Sequence, residues 1–235
     1  MTAPSAHRAH DRLLRTLSHM SDQINKVLVR MRDHVLADAA ANQGTRSRLC
    51  LDDFESFVHR LYDTESLPML GMGFVAHPEV LPNFTPRWWY NSTTATTGAP
   101  LRALTVGNQP QAMDFYDAPS TEWWQNAANT SDPAVSGPFV DISGTNAYIV
   151  TFSQAVRFDG ELLGVVAADV TVATLQSLCQ NTLLDLARPT SVVNPDGMVI
   201  ATNAGTLLGS AVDMAALDAD RKFPVPDTPW LLVIG

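Results

Sequence analysis

The 235 residues are 46% hydrophobic and 17% charged, a composition that buries a core and excludes a disordered chain. The formal net charge of −9 excludes a nucleic-acid binder, which needs clustered Lys and Arg against phosphate. Residues 1–62 hold nine of the 15 basic residues and seven of the 24 acidic ones, so the remainder is strongly acidic and attracts small cations.

No apolar run approaches the ~18 residues of a membrane span, and the N-terminus lacks the apolar core of a secretory signal. Read as complete, the chain is expected to be cytoplasmic, with no membrane insertion. Read as a fragment of a receptor, it is expected to be extracytoplasmic. Cys50 and Cys179 make neither a disulfide framework nor a metal site and are expected to be small buried apolar residues.

In chain order, Leu13, Leu17, Met20, Ile24, Val27 and Met31 alternate spacings of four and three, which predicts a long helix over about 11–41 with an apolar seam. That seam packs either on its own domain or on a second copy, giving a homodimer through residues 11–38. Gly44 is the expected stop. A second helix over about 52–62 follows from Phe54, Phe57, Val58 and Leu61, capped by Asp52 or Asp53 and closed by Leu67-Pro68. Strands are then expected at Leu70–Val75, Arg87–Tyr90, Leu101–Val106, Pro138–Ile142, Ala147–Phe158 and Glu161–Val170, and Phe158-Asp159-Gly160-Glu161 reads as a tight hairpin. Thr121–Ala128 reads as a short helix capped by Ser120, and residues 171–186 as another. Ser191–Val193, Met198–Ala201 and Trp230–Ile234 complete a smaller second module.

Phosphate loops, nucleophile elbows and zinc helices are not matched, and Gly71-Met72-Gly73 lacks the third glycine of a dinucleotide site. No catalytic residue, cofactor or metal is therefore expected. The informative stretch is 115–169, where Tyr116, Trp123, Trp124, Phe139 and Tyr148 accompany Asp141 and Asp169. Adjacent Trp123 and Trp124 are not expected to point into one core from one helical turn. Asp141 lies among apolar neighbours, where an unpaired carboxylate is costly. Aromatic faces backed by carboxylates recognise an ammonium through cation–π contact and ion pairing.

These residues carry a resemblance. Trp123-Trp124, Gly137-Pro138-Phe139-Val140-Asp141, Thr151-Phe152-Ser153-Gln154-Ala155-Val156, Asp159-Gly160 and Gly164-Val165-Val166-Ala167-Ala168-Asp169 resemble the signature of the double Cache family, PAS-like sensor domains of bacterial receptors. The resemblance implies an α+β fold: a long N-terminal helix and two PAS-like antiparallel-sheet modules, the second smaller. It implies boundaries at 1–66 for the helices, 67–172 for a membrane-distal-type module with the pocket, and 173–235 for a membrane-proximal-type module.

In the amino-acid-binding members an Arg follows a Tyr by five positions and precedes an aromatic pair by two. Tyr116 holds the first site, Thr121 the Arg site and Trp123-Trp124 the pair, with Phe139, Asp141 and Asp169 completing the motif. The acids hold the ligand's ammonium in the family and the Arg grips its carboxylate. With Thr121 there is no guanidinium fork, so the pocket resembles the amine-recognising variants, and Glu122 is either a further acid or an exposed helix residue. Arg87, next to Trp88-Trp89, is the alternative carboxylate partner.

The expected function is a sensor domain for a cationic amine, quaternary ammonium or amino-acid-like ligand, signalling through a separate downstream protein. The competing function is a dimerisation module with a vestigial pocket. An enzyme ranks third, since no nucleophile–base pair is discernible.

Overall fold

The computed structural model describes residues 3–43, 49–65, 69–80, 86–91, 100–106, 116–142 and 144–235, with side chains in the first helix described from Ala9 onward. It is an α+β chain of one long helix and two antiparallel sheets.

Helix α1 spans Ala3–Ala41 and α2 spans Phe54–Thr64. The α1 seam of Leu13, Leu17, Met20, Ile24, Val27 and Met31 is buried in the chain's own core, against the large sheet. Of the two expected alternatives for the seam in residues 11–38, it packs on its own domain, so these side chains do not form a homodimer seam, and the outward stripe is polar (Arg15, His19, Lys26, Arg30). Asp53 occupies the cap position of α2 without capping it; its carboxylate takes His34 Nε2 of α1 at 3.0 Å instead. Gly44 and Leu67-Pro68, the expected stops, lie outside the described residues.

The large sheet comprises β1 (Gly71–Ala76), β2 (Arg87–Tyr90), β3 (Arg102–Ala103), β4 (Ala134–Val140), β5 (Tyr148–Phe158) and β6 (Glu161–Thr171), in the order β3-β2-β1-β6-β5-β4. The β5–β6 hairpin turns at Asp159 and Gly160, both at positive φ (50° and 82°), as a primed two-residue turn requires. Leu101–Val106 shortens to two paired residues, and β4 starts four residues earlier than expected, running through Gly137-Pro138 by way of a register shift.

The period-two alternation of strands divides this sheet into two faces. Met72, Phe74, Trp89, Phe152, Val166 and Ala168 join the α1 and α2 core. Val75, Trp88, Val165 and Ala167 face the other way, toward α3 (Glu122–Ala128). Thr121, not Ser120, holds the cap position of α3. Ser120 Oγ donates to the Asp117 carbonyl and Thr121 Oγ1 to the Ala118 carbonyl, so neither side chain caps the helix.

Helix α4 (Val172–Leu184) is capped by Thr171 Oγ1, which accepts from Thr174 N at 3.0 Å, and leads to the small sheet. That sheet has β7 (Thr190–Val193), β8 (Val199–Thr202), β9 (Lys222–Pro224) and β10 (Leu231–Ile234) in the order β8-β7-β10-β9. The edge strand β9 is not anticipated by the sequence reading. The two sheets share one core: Trp230 stands edge-on to Phe152 at 5.9 Å between ring centroids. Cys179 is buried as expected, whereas Cys50 is exposed, so the two are not alike.

Candidate functional site

On the α3 face of the large sheet lie two chambers that share Tyr116, Trp123, Phe139 and Asp141. The inner one has a volume of about 20 Å³, room for roughly a single water-sized group. Its floor is built by side chains in phase across the strands: Val75 of β1, Trp88 of β2, Ile149 and Thr151 of β5, and Asp169 of β6. The outer chamber, about 340 Å³, adds Thr121, Glu122, Val140 and Ile142.

The floor depends on two glycines. At Gly73 a Cβ would lie 2.2 Å from the Arg87 carbonyl oxygen and 2.7 Å from Trp88 Cα, so only a bare backbone lets β2 pass. At Gly71 a Cβ would meet Trp88 Nε1 at 2.7 Å, the edge of the indole that lies across β1. Gly71-Met72-Gly73 thus makes space for an aromatic wall.

Asp169 is the chemical centre. It is only 5% exposed, stands opposite Thr151 on β5 and Gly71 on β1, and accepts from Thr151 Oγ1 at 2.7 Å. Burial pushes its carboxyl up to about 8. The Thr151 hydrogen bond opposes that shift and the nearby Asp141 charge adds to it. A buried carboxylate without a cation is held protonated near neutral pH. No Lys or Arg lines either chamber among the described residues.

Asp141 follows the end of β4, half-buried, and Oδ2 accepts from Thr145 N at 2.6 Å and Thr145 Oγ1 at 3.0 Å. It therefore organises the 141–147 turn as well as lining both chambers. Burial, followed by the charges of Asp141 and Asp169, holds the Tyr116 phenol well above its ordinary range. Its oxygen accepts from Trp123 Nε1 at 2.9 Å, so the indole N–H is occupied and the ring itself is what Trp123 presents to the cavity. Helix α3 is fixed over the floor by Ser153 Oγ donating to the Trp123 carbonyl (3.1 Å) and Asn126 Nδ2 donating to Ser136 Oγ (2.9 Å).

Six of the eight residues singled out from sequence line the chambers: Tyr116, Thr121, Trp123, Phe139, Asp141 and Asp169. Trp124 does not. It is buried beside Trp123 in one cluster, the rings edge to face at 5.9 Å, which corrects the expectation that the two could not share a core. Tyr148 also lies elsewhere: one residue out of phase with Ile149, it takes the opposite face, and its hydroxyl reaches Gly209 of the small module. Arg87 is exposed and out of phase with Trp88, so it does not supply the carboxylate partner. Thr151, Trp88 and Leu104 are lining residues that the sequence reading missed. Among the described residues no cluster of three or more His, Cys, Asp or Glu is placed to hold a metal ion.

Residues 71–177 match the family model described as the methyl-accepting chemotaxis protein-like first PDC sensor domain. Solved structures share the fold of the whole chain. One is a methyl-accepting chemotaxis protein X, with a TM-score of 0.70 at 13% identity, covering 97% of this chain and 95% of that one. A second is the ligand-binding domain of the Pseudomonas fluorescens chemoreceptor CtaA in complex with L-leucine (TM-score 0.59, 14% identity, 98% and 94% covered). A third is the ligand-binding domain of the Pseudomonas aeruginosa amino acid chemoreceptor PctC in complex with GABA (TM-score 0.57, 16% identity, 97% and 98% covered).

Proposed function

Taking residues 71–177 as a chemotaxis-type first PDC sensor module within a double Cache fold, we propose that this protein is a ligand-binding sensor domain for a small organic cation, an amine or quaternary ammonium. The observation that carries the proposal is Asp169: a buried carboxyl, facing a cavity walled by Trp88, Trp123 and Phe139, with no cationic side chain beside it among the described residues. An ammonium group there supplies the missing positive charge and meets aromatic faces, two attractions that strengthen each other out of water.

CtaA with L-leucine and PctC with GABA are complexes of molecules that carry an ammonium and a carboxylate. Among the described residues the outer chamber offers Thr121, Glu122 and Asp141 and no guanidinium, a lining that disfavours a carboxylate. A ligand without a carboxylate suits this lining, with at most its ammonium head in the inner chamber and its organic part in the outer one. Signalling follows if the occupied pocket favours one arrangement of the strands around it, and the downstream reader is a separate protein or segment.

A thermal-shift comparison of ethylammonium, tetramethylammonium, L-alanine and acetate tests this. A ligand at about 100 times its Kd adds roughly 2.7 kcal/mol, a rise on the order of 5–10 °C for a chain of this size. Stabilisation by either cation and none by acetate is the expected pattern. Stabilisation by acetate, or by none of the four, rejects the cation pocket.

A further inference from the structure

Strand β4 carries two walls of the cavity, Phe139 and Asp141, at or just beyond its end, and its ladder is interrupted immediately before them. The register with β5 shifts between Ser136 and Phe139, and Gly137 has φ at +104°. A Cβ on Gly137 would lie 2.9 Å from the Ile149 carbonyl oxygen and 3.1 Å from the Phe139 ring, so this backbone is pressed directly against the aromatic wall. The shift is also what keeps Phe139 facing the cavity, because three residues separate it from the inward Ser136 where simple alternation allows only even steps.

Gly137 takes no part in the β4–β5 register. Its carbonyl accepts instead from Asn194 Nδ2 at 2.9 Å, 57 residues away in the small module. Asn194 opens the turn between β7 and β8. Its Oδ1 accepts from Asp196 N at 3.0 Å and Met198 N at 2.8 Å, which fixes the amide plane and aims the NH2 group outward. The side chain is buried, where a lost partner is costly. A second contact lies nearby: Tyr148, the cross-strand neighbour of Val140, sets its hydroxyl where a Cβ on Gly209 would stand 2.5 Å away. Two turns of the small module thus bear on the strand pair that walls the pocket.

We propose that Asn194 is a positioning residue for the pocket: by holding the Gly137 carbonyl it sets where Phe139 and Asp141 stand, and it couples the state of the pocket to the small module. This rests on treating the two chambers as the ligand site.

The discriminating variant is Asn194→Asp. It keeps an acceptor for Asp196 and Met198, and so the turn, but removes the donor to Gly137. Hydrogen exchange on the full chain, without ligand, is expected to speed up by ~tenfold over residues 134–147, with 190–202 and 71–76 unchanged. Unchanged protection at 134–147, or loosening confined to 190–202, overturns the proposal. Should Asn194→Asp fail to fold, Asn194→Ser makes the same comparison, since its hydroxyl retains a turn acceptor and is too short to reach Gly137.

Affinity for ethylammonium separates positioning from a merely structural role. Positioning weakens binding by ~tenfold in addition to the fall in melting temperature of several degrees that loss of a buried donor brings. A lowered melting temperature with unchanged affinity overturns it. If ethylammonium does not bind the wild type, the cation pocket fails, while the exchange experiment still decides the part played by Asn194.

Discussion

Thr151 donates its hydroxyl to Asp169 Oδ1 from the position directly opposite on β5, a contact of 2.7 Å inside the sheet. One hydroxyl does not replace the water that an ionised carboxylate loses on burial, so the acid form prevails up to about pH 8. Between about pH 4 and 8 the native side chain keeps a proton that the unfolded chain has released, and stability falls as pH rises through that window. In Asp169→Asn that contribution to the slope is absent. The variant is expected to melt higher than wild type at pH 8, with the difference shrinking toward pH 4, as thermal melts across the range will show. Parallel curves for the two proteins would contradict this account of Asp169.

The same proton would compete with the cation proposed for the cavity. With a midpoint near 8, Asp169 is mostly protonated at pH 7 in the empty pocket, and an ammonium that pairs with it must expel the proton. Calorimetry with ethylammonium at pH 7, in buffers of differing ionisation enthalpy, is expected to report release of close to one proton. Affinity rises by about tenfold from pH 6 to 7 and by about fivefold from pH 7 to 8. Affinity that stays flat over this range would exclude Asp169 as the ammonium's partner.

Thr121 is the point at which ligand class can be changed. It lines the outer chamber, and its hydroxyl is spent on the Ala118 carbonyl. Thr121→Arg places a planar guanidinium where a carboxylate would lie. We expect this variant to gain thermal stabilisation from L-alanine that the wild type lacks. No response to any of the common α-amino acids would show that the chamber does not bring a ligand's carboxylate to this position.

Gly71 and Gly73 should differ in their tolerance of a methyl group. At Gly73 the obstruction is backbone, which cannot step aside; at Gly71 the one atom closer than 3.0 Å, Trp88 Nε1, belongs to a side chain, which can. Gly73→Ala is expected to cost about 1–3 kcal/mol, a fall on the order of 5 °C, with Gly71→Ala costing less. Gly71→Ala should instead weaken ligand binding by displacing the indole. Equal melting temperatures for the two variants would rule out the backbone obstruction at Gly73.

What could be read from the chain before folding was governed by local rules. The Asp159-Gly160 hairpin was legible because few residues take two successive positive φ angles, and the α1 seam because its period is helical. Strand β9 was not, being three residues long and ending in Pro224, which reads as a breaker away from a sheet edge. For the same reason the start of β4 was placed at Pro138, although the strand passes through Gly137-Pro138 by shifting its register. The site acids and most of its aromatics were legible as a motif. Tyr148 was misplaced because nearness in sequence says nothing about strand face: alternation from Ile149 sends it to the other side. Thr151 was passed over because its importance lies in standing across from Asp169, a relationship only the pairing of β5 with β6 creates.

Helix α1 gives the molecule a long arm. Its 39 residues extend about 58 Å at 1.5 Å each. Toward its N-terminal end Arg12 pairs with Asp185, and Ser18 and Ser21 hydrogen-bond to Asp227 in the small module. Toward the other end Arg30 pairs with Glu65 and His34 with Asp53, beside the large sheet. The same strand, β6, offers Asp169 to the cavity and Val166, Ala168 and Val170 to the core that this helix shares. By lever geometry, a tilt of only about 1° at one end displaces the other by about 1 Å over such a length. A packing change too small to notice beside the cavity would thereby become a movement of atomic size at the opposite extremity of the molecule.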